Sequence, residues 1–497
     1  MKKYILILIV ALTAATSCKK SFLEEDPKGS ILPKTFYKNG NDLNQAMTGI
    51  AFTFNGAWNQ TGGMSITFGA DDITTFRGGN KISFSDFDTF QANSSNDRMA
   101  VWWNNFYKTI KSSNALIINY PNATDATAAE RDNAAGLALF YRATCYFFLT
   151  RSWGSVPLIT EPVIVADRPN STPDKVYELI VADLKKAETM LPDSWTGVKI
   201  QNGVNIFPTA GSAKAMLASV YLTMAGWPLK QADKYALAAT KAKEVIDNKA
   251  KYKIDLMGSF ADIFAKEGKF NKEAVFGCYY NNNAPGGVWE NGSQMGPPNF
   301  MPGEEGGWDE AFGEISFYNN FPAGPRKDAT YRKTYYLGND VSKPVDYTGL
   351  LRKHPYFTKY NDDISYNQTN HSMSDWWGSH TVFILRYADV LLTYAEAKAM
   401  STGADITAYD AVNAVRGRAG LGPLTPALSP TAFRDAVIEE RGWEFAGCEP
   451  AARWFDLIRT ETVGKATLNR HASEEPLKAV PNDATHTSYW APLPIVR

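Results

Sequence analysis

Histidine and cysteine are scarce in this chain, five and four among 497 residues. The histidines, His354, His371, His380, His471 and His486, are scattered, and none sits in an H-E-x-x-H pattern, so zinc-hydrolase chemistry is not expected. Cys18, Cys145, Cys278 and Cys448 are far apart and lack metal-ligand spacing, and a chain this long is not expected to need a disulfide framework. Cys145 lies inside an apolar helical run and reads as core. There is no G-x-S-x-G turn for a serine nucleophile and no EF-hand-like spacing for calcium. Charge of one sign is also missing: 51 Lys and Arg against 52 Asp and Glu leave a net charge of −1, with no basic tract, so nucleic acid is excluded as a partner. Past the N-terminus no apolar run is long enough to cross a bilayer. Neither a metal nor a cofactor is expected.

What is present begins with a leader. Lys2-Lys3 precede the apolar stretch Ile5–Leu12, and the small residues Ala15-Thr16-Ser17 lead directly to Cys18. This is the layout of a bacterial secretory signal whose cleavage leaves a cysteine first. Residues 1–17 are therefore expected to be removed and Cys18 to carry acyl chains. Several chains on one residue anchor a folded body firmly to a membrane. The body is 44% hydrophobic and 21% charged, as in a folded globular protein.

Helical periodicity dominates that body. Residues 101–120, 130–152 and 173–191 place apolar side chains on one face, and Pro173 and Pro192 bracket the third. Residues 209–225 and 231–248 form an Ala-rich pair separated by Gly226-Trp227-Pro228. Helices are expected again at 382–400, 405–418 and 431–447. Paired helices of this kind suggest a tetratricopeptide-like array, although the strict repeat signature is absent. Three stretches differ: 54–98, 281–325 and 355–380 are rich in glycine, proline and asparagine yet carry many aromatics. Disordered segments are poor in aromatics, so these are read as ordered, functional loops.

Several motifs resemble the SusD/RagB family of outer-membrane nutrient-binding lipoproteins from Bacteroidetes. They are Leu139-Phe140-Tyr141-Arg142-Ala143 with Gly154-Ser155-Val156-Pro157-Leu158; Asp183-Leu184-Lys185-Lys186-Ala187 with Leu191-Pro192; Ile384-Leu385-Arg386-Tyr387-Ala388-Asp389; Asn413-Ala414-Val415-Arg416-Gly417-Arg418; and Glu440-Arg441-Gly442-Trp443-Glu444-Phe445 with Arg453-Trp454-Phe455-Asp456-Leu457. The resemblance implies a mainly α fold, with tetratricopeptide-like helix pairs (an α-α superhelix) packed on an irregular, loop-rich C-terminal half. On that basis the chain divides into a signal peptide (1–17), a lipidated tether and first helix (18–45), an N-terminal helical region (46–265) and a C-terminal region with ligand-binding loops (266–497). It further implies a lid on a SusC-like TonB-dependent transporter, lipid-anchored at the cell surface, that captures a glycan or a peptide without chemistry.

The residues agree with capture. Sugar rings have apolar C–H faces that stack on aromatics, while polar side chains take the hydroxyls. Trp58, Trp289, Trp308, Trp376 and Trp377 are the platform candidates, and Arg77, on a Gly-flexed loop, is the multi-donor candidate. Trp102-Trp103, Trp443 and Trp454 read as structural. Arg386, Arg416, Arg441 and Arg453, with Glu396, Glu440, Glu444 and Asp456 nearby, read as buried ion pairs. A glycoside hydrolase is the competing class, because Asp71-Asp72, Glu304-Glu305 and Asp309-Glu310 lie in the same loops and such enzymes need two facing carboxylates. A third class is a helical array that binds only the transporter.

Overall fold

A computed structural model describes residues 36–495, apart from residues 60, 164–167, 281–294, 297–306, 338–339, 361–365, 368–371, 374–379 and 448. The leader, Cys18, Trp289, Glu304-Glu305, Trp376 and Trp377 therefore lie outside the described residues.

The architecture is mainly α. The helices of eight or more residues are α1 (Gly40–Asn55), α2 (Met99–Asn119), α3 (Ala128–Trp153), α4 (Pro173–Met190), α5 (Ala210–Ala225), α6 (Lys234–Asp247), α7 (Tyr387–Thr402), α8 (Ile406–Arg418), α9 (Pro430–Glu444) and α10 (Ala452–Arg459). None of the described helices is long and apolar enough to cross a membrane. Their starts follow from local chemistry. Asn39 with Asp42, Thr127 with Glu130 and Thr209 with Ser212 form reciprocal caps at α1, α3 and α5. Ser429 caps α9, whose first residue is Pro430. α3 ends at Gly154, where φ is +71° and a Cβ would strike the Trp490 ring at 2.7 Å, so both backbone and packing require glycine.

α3 is the axis of the N-terminal half and is buried on all sides from Ala134 to Thr150, as expected of a helix apolar around its whole circumference. It packs on α1, α2 and α4, and the array continues through α5 to α6. A buried polar clamp fixes three of these helices. Arg142 of α3 reaches Asp183 of α4 through two 2.8 Å hydrogen bonds and Asn114 of α2 through a third at 2.8 Å. The bidentate geometry holds α3 and α4 in one register.

α6 then packs directly on α7, although residues 248–386 lie between them in the chain. The array thus closes through the C-terminal half, with α7 packed on α8 and α9, and one hydrophobic core runs through both halves. The intervening segment returns as an antiparallel pair, Ala274–Tyr279 with Thr381–Arg386, registering Thr381 with Tyr279 and Arg386 with Ala274. This corrects the expected helix start at 382: Thr381-Val382-Phe383-Ile384-Leu385-Arg386 is a strand buried at every position. A short, fully apolar run has no periodicity to separate strand from helix, and the pairing with residues 274–279 decides it.

The C-terminal arginines are ion-paired, as their sequence context suggested. Arg386 Nη1 lies 2.6 Å from both Glu273 and Glu444, and its Nε donates to Glu449. Arg418 joins Glu273 and Glu444, Arg326 joins Glu440 and Glu444, and Arg416 joins Glu440. Arg441 pairs with Asp456, and Arg453 with Asp71. Strand, α8 and α9 are thereby tied into one charged cluster inside the core.

Candidate functional site

Two of the aromatic loops converge on a two-residue ladder. Ile73 and Thr74 pair antiparallel with Gly313 and Phe312. Beyond the ladder, Thr75 Oγ1 donates to the Glu310 carbonyl at 2.6 Å. Residues 75–81 and 308–310 therefore emerge side by side. Asp309 has φ of +56°, a left-handed conformation that aspartate tolerates better than most side chains.

This junction is polar inside. Asp309 accepts from Arg352 Nε at 2.5 Å and from the Tyr356 hydroxyl at 2.6 Å. The Arg352 guanidinium in turn lies 3.6 Å from the centre of the Phe76 ring. Lys81 is buried, with Nζ 3.6 Å from Glu310 and 5.7 Å from the Trp308 ring centre. Thr61 Oγ1 also donates to Glu310. Burial pushes the Glu310 carboxyl up to about 7, against the opposing pull of Lys81 and Arg98. Burial also lowers Lys81, with Glu310 and Asp309 only partly offsetting it. One ammonium beyond hydrogen-bond reach does not offset the desolvation of this pair.

The sequence-predicted residues separate here. Trp308 and Arg77 both belong to the junction. Trp308 is half-buried under the Lys81 cation. Arg77 holds Asp86 at 2.9 Å, with its side chain 28% exposed. Trp58 is corrected: it is completely buried, its ring 4.9 Å from those of Trp102 and Phe148. It packs α1 onto α2 and α3 and has no face to offer a ligand. Lys81, Phe76 and Arg352 were not singled out from the sequence. The signal for Lys81 was its place in Gly78-Gly79-Asn80-Lys81, two residues after Gly79, whose φ is +53°.

Of the acidic pairs considered for a hydrolase, Glu304-Glu305 lies outside the described residues, and Asp71, Asp72 and Asp309 are held in other contacts. Asp71 takes Arg453 bidentately at 2.6 and 2.7 Å. Asp72 is buried and accepts from the Gly447 N–H at 2.7 Å. Burial and the neighbouring Asp71 raise Asp72 to about 6, opposed by that N–H and by Arg453. Among the described residues no three His, Cys, Asp or Glu side chains group as a metal site.

A profile of the SusD family matches residues 284–494, and a second, described as starch-binding and associating with the outer membrane, matches residues 21–222. The chain belongs to the SusD/RagB family. It is 28% identical to SusD-like protein P2 of Formosa agariphila, over 99% of this chain and 97% of that one. Its fold matches the crystal structure of a SusD superfamily protein from Parabacteroides distasonis with a TM-score of 0.75 at 22% identity, covering 91% of this chain and 95% of that one. A laminarin-binding SusD-like protein matches with a TM-score of 0.71 at 22% identity, covering 92% and 99%. In this SusD-like chain the α-helical array and the charged cluster together form the frame that presents the loop junction.

Proposed function

We propose that this chain captures a glycan oligomer at the cell surface, tethered by lipid on Cys18, and delivers it to a SusC-like TonB-dependent transporter. The observation that carries the reading is Trp308, an aromatic half-exposed on a ladder-stiffened junction. The buried Lys81 ammonium lies against its ring, and Arg77, part-exposed on the adjoining 75–81 segment, supplies hydrogen-bond donors. That is the combination a sugar ring recognises, an apolar face flanked by polar groups. The starch-binding description of one family profile and the laminarin-binding neighbour support the same class. Trp289, Trp376 and Trp377, which lie outside the described residues, belong to the proposal as further candidate platforms. That Asp71, Asp72 and Asp309 are tied to arginines, tyrosine and backbone supports capture without turnover.

The test is binding of the full chain, in detergent micelles, to plant, host and microbial glycans and to a peptide mixture. A glycan bound without product release, with affinity reduced at least about tenfold (about 1.4 kcal/mol) in Trp308→Ala, is the expected result. Peptide binding in the absence of any glycan hit replaces the ligand class. Hydrolysis products overturn the reading.

A further inference from the structure

The ladder has a second end. On the side away from Trp308, residues 69–71 and 314–320 diverge, and together with α9, α10 and residues 460–470 they enclose a groove of about 640 Å³. That volume is in the range of small-molecule sites. Trp443 and Phe317 line it, both half-buried, and the Trp443 indole N–H makes no hydrogen bond to a described residue. Asn320 and Asn469, both exposed, also line it.

Its electrostatics select the ligand. Lining cations and carboxylates are equal in number, four of each. Every arginine in it is already matched: Arg453 to Asp71, Arg470 to Asp88 at 2.8 and 2.9 Å, and Arg434 to Asp435 at 2.7 and 2.9 Å. Glu314 is held by the His471 and Phe317 N–H groups at 2.7 and 2.6 Å. An anion would meet no uncommitted guanidinium, and a cation no uncommitted buried carboxylate. What remains open is aromatic surface edged by amides, together with one exposed ammonium, Lys465, and one exposed carboxylate, Glu439, which balance in charge; that lining favours neither sign and suits a neutral polyhydroxylated ring.

We infer that this Trp443–Phe317 groove is a second saccharide subsite, for a neutral oligosaccharide, distinct from the Trp308 junction. Its ligand class rests on the glycan reading above; its location does not. The arginine pairs give it a preformed floor, because bidentate carboxylate contacts fix guanidinium orientation.

The experiment is calorimetric titration of the full chain in detergent micelles with laminarihexaose, maltohexaose and a xyloglucan heptasaccharide, and with trigalacturonate as the anionic control. Wild type, Trp443→Ala and Trp308→Ala are compared. The expected result is a binding event weakened at least tenfold in Trp443→Ala and retained in Trp308→Ala, with trigalacturonate bound no better than the neutral sugars. Equal binding by wild type and Trp443→Ala, or no binding of any neutral probe, overturns the subsite. Tighter, Trp443-dependent binding of trigalacturonate overturns the neutral-ligand assignment. Should Trp443→Ala fail to fold, the exposed pair Asn320→Ala/Asn469→Ala replaces it: a threefold or greater loss supports the subsite, and unchanged affinity overturns it. Failure of the junction reading shows separately, as the absence of any second binding event that Trp308→Ala weakens and Trp443→Ala leaves intact.

Discussion

Two buried charged regions of this protein use the same residue types and reach opposite states. In the C-terminal cluster, burial pushes Glu444 up, but Arg418, Arg386 and Arg326 together bring it down to about 2. At the loop junction burial raises Glu310 to about 7, although Lys81 at 3.6 Å and Arg98 pull the other way and Thr61 donates to it. Arg386 itself, though burial works against its charge, is held well above its ordinary value by Glu449, Glu444 and Glu273. Three guanidiniums in hydrogen-bond contact keep a buried carboxylate ionised; one hydroxyl, an ammonium at 3.6 Å and the more distant Arg98 do not. The first region is architecture. In the second, the charge is loosely held beside the half-buried Trp308 ring, the proposed platform.

The sharpest way to break this contrast is Arg386→Ala. It leaves Glu273, Glu444 and Glu449 without their shared guanidinium, and a loss of about 3–5 kcal/mol is expected in urea unfolding at pH 7. A loss under about 1 kcal/mol would make the cluster no more structural than the junction. Trp58→Ala is expected to cost a comparable 3–5 kcal/mol by opening a cavity among Phe54, Trp102 and Phe148; the companion Trp308→Ala should leave the melting temperature far closer to wild type, and equal destabilisation would erase the distinction between core and platform.

Glu310→Gln probes the junction with the opposite sign. Because folding raises this carboxyl, the folded chain holds the proton more tightly than the unfolded one. That contribution is complete below the ordinary carboxylate range and is lost as pH rises through about 7. Glutamine imitates the protonated form, so the variant should gain on the order of 2 kcal/mol at pH 8 and nothing at pH 4. Thermal melts across that range decide it, and a variant less stable at pH 8 than wild type would show the carboxylate to be needed charged. The smallest effect is expected for Arg77→Ala, about 1 kcal/mol or less in stability, since its pair with Asp86 is partly exposed. A larger loss in glycan affinity than in stability would place Arg77 at the ligand.

Much of the frame was legible in the chain. The apolar periodicity over 130–152 is α3, whose start lies two residues earlier at Ala128 because the Thr127–Glu130 cap fixes it. The motif residues Arg142 and Asp183 are explained by their buried clamp. The C-terminal arginines were readable as ion pairs because an apolar context excludes a lone guanidinium. The exceptions were positions where local pattern is ambiguous. Residues 381–386 form a strand only because residues 274–279 lie beside them. Trp443 reads as structural from its motif, yet it lines a groove.

The two tryptophans Trp58 and Trp308 show the division most clearly. Both sit among glycines in aromatic-rich loops, and nothing local separates them. Gly63 looks like loop punctuation, yet a Cβ there would lie 2.1 Å from Trp102, the ring against which Trp58 packs. Helix starts, amphipathic faces and the pairing demand of buried arginines act over a few residues, and so they were written into the amino-acid order. Which aromatic is buried in the core, which keeps an accessible face, and which carboxylate keeps its charge depend on neighbours that arrive from far along the chain. Burial and Coulomb interaction act through space, and so those assignments waited on the packed fold.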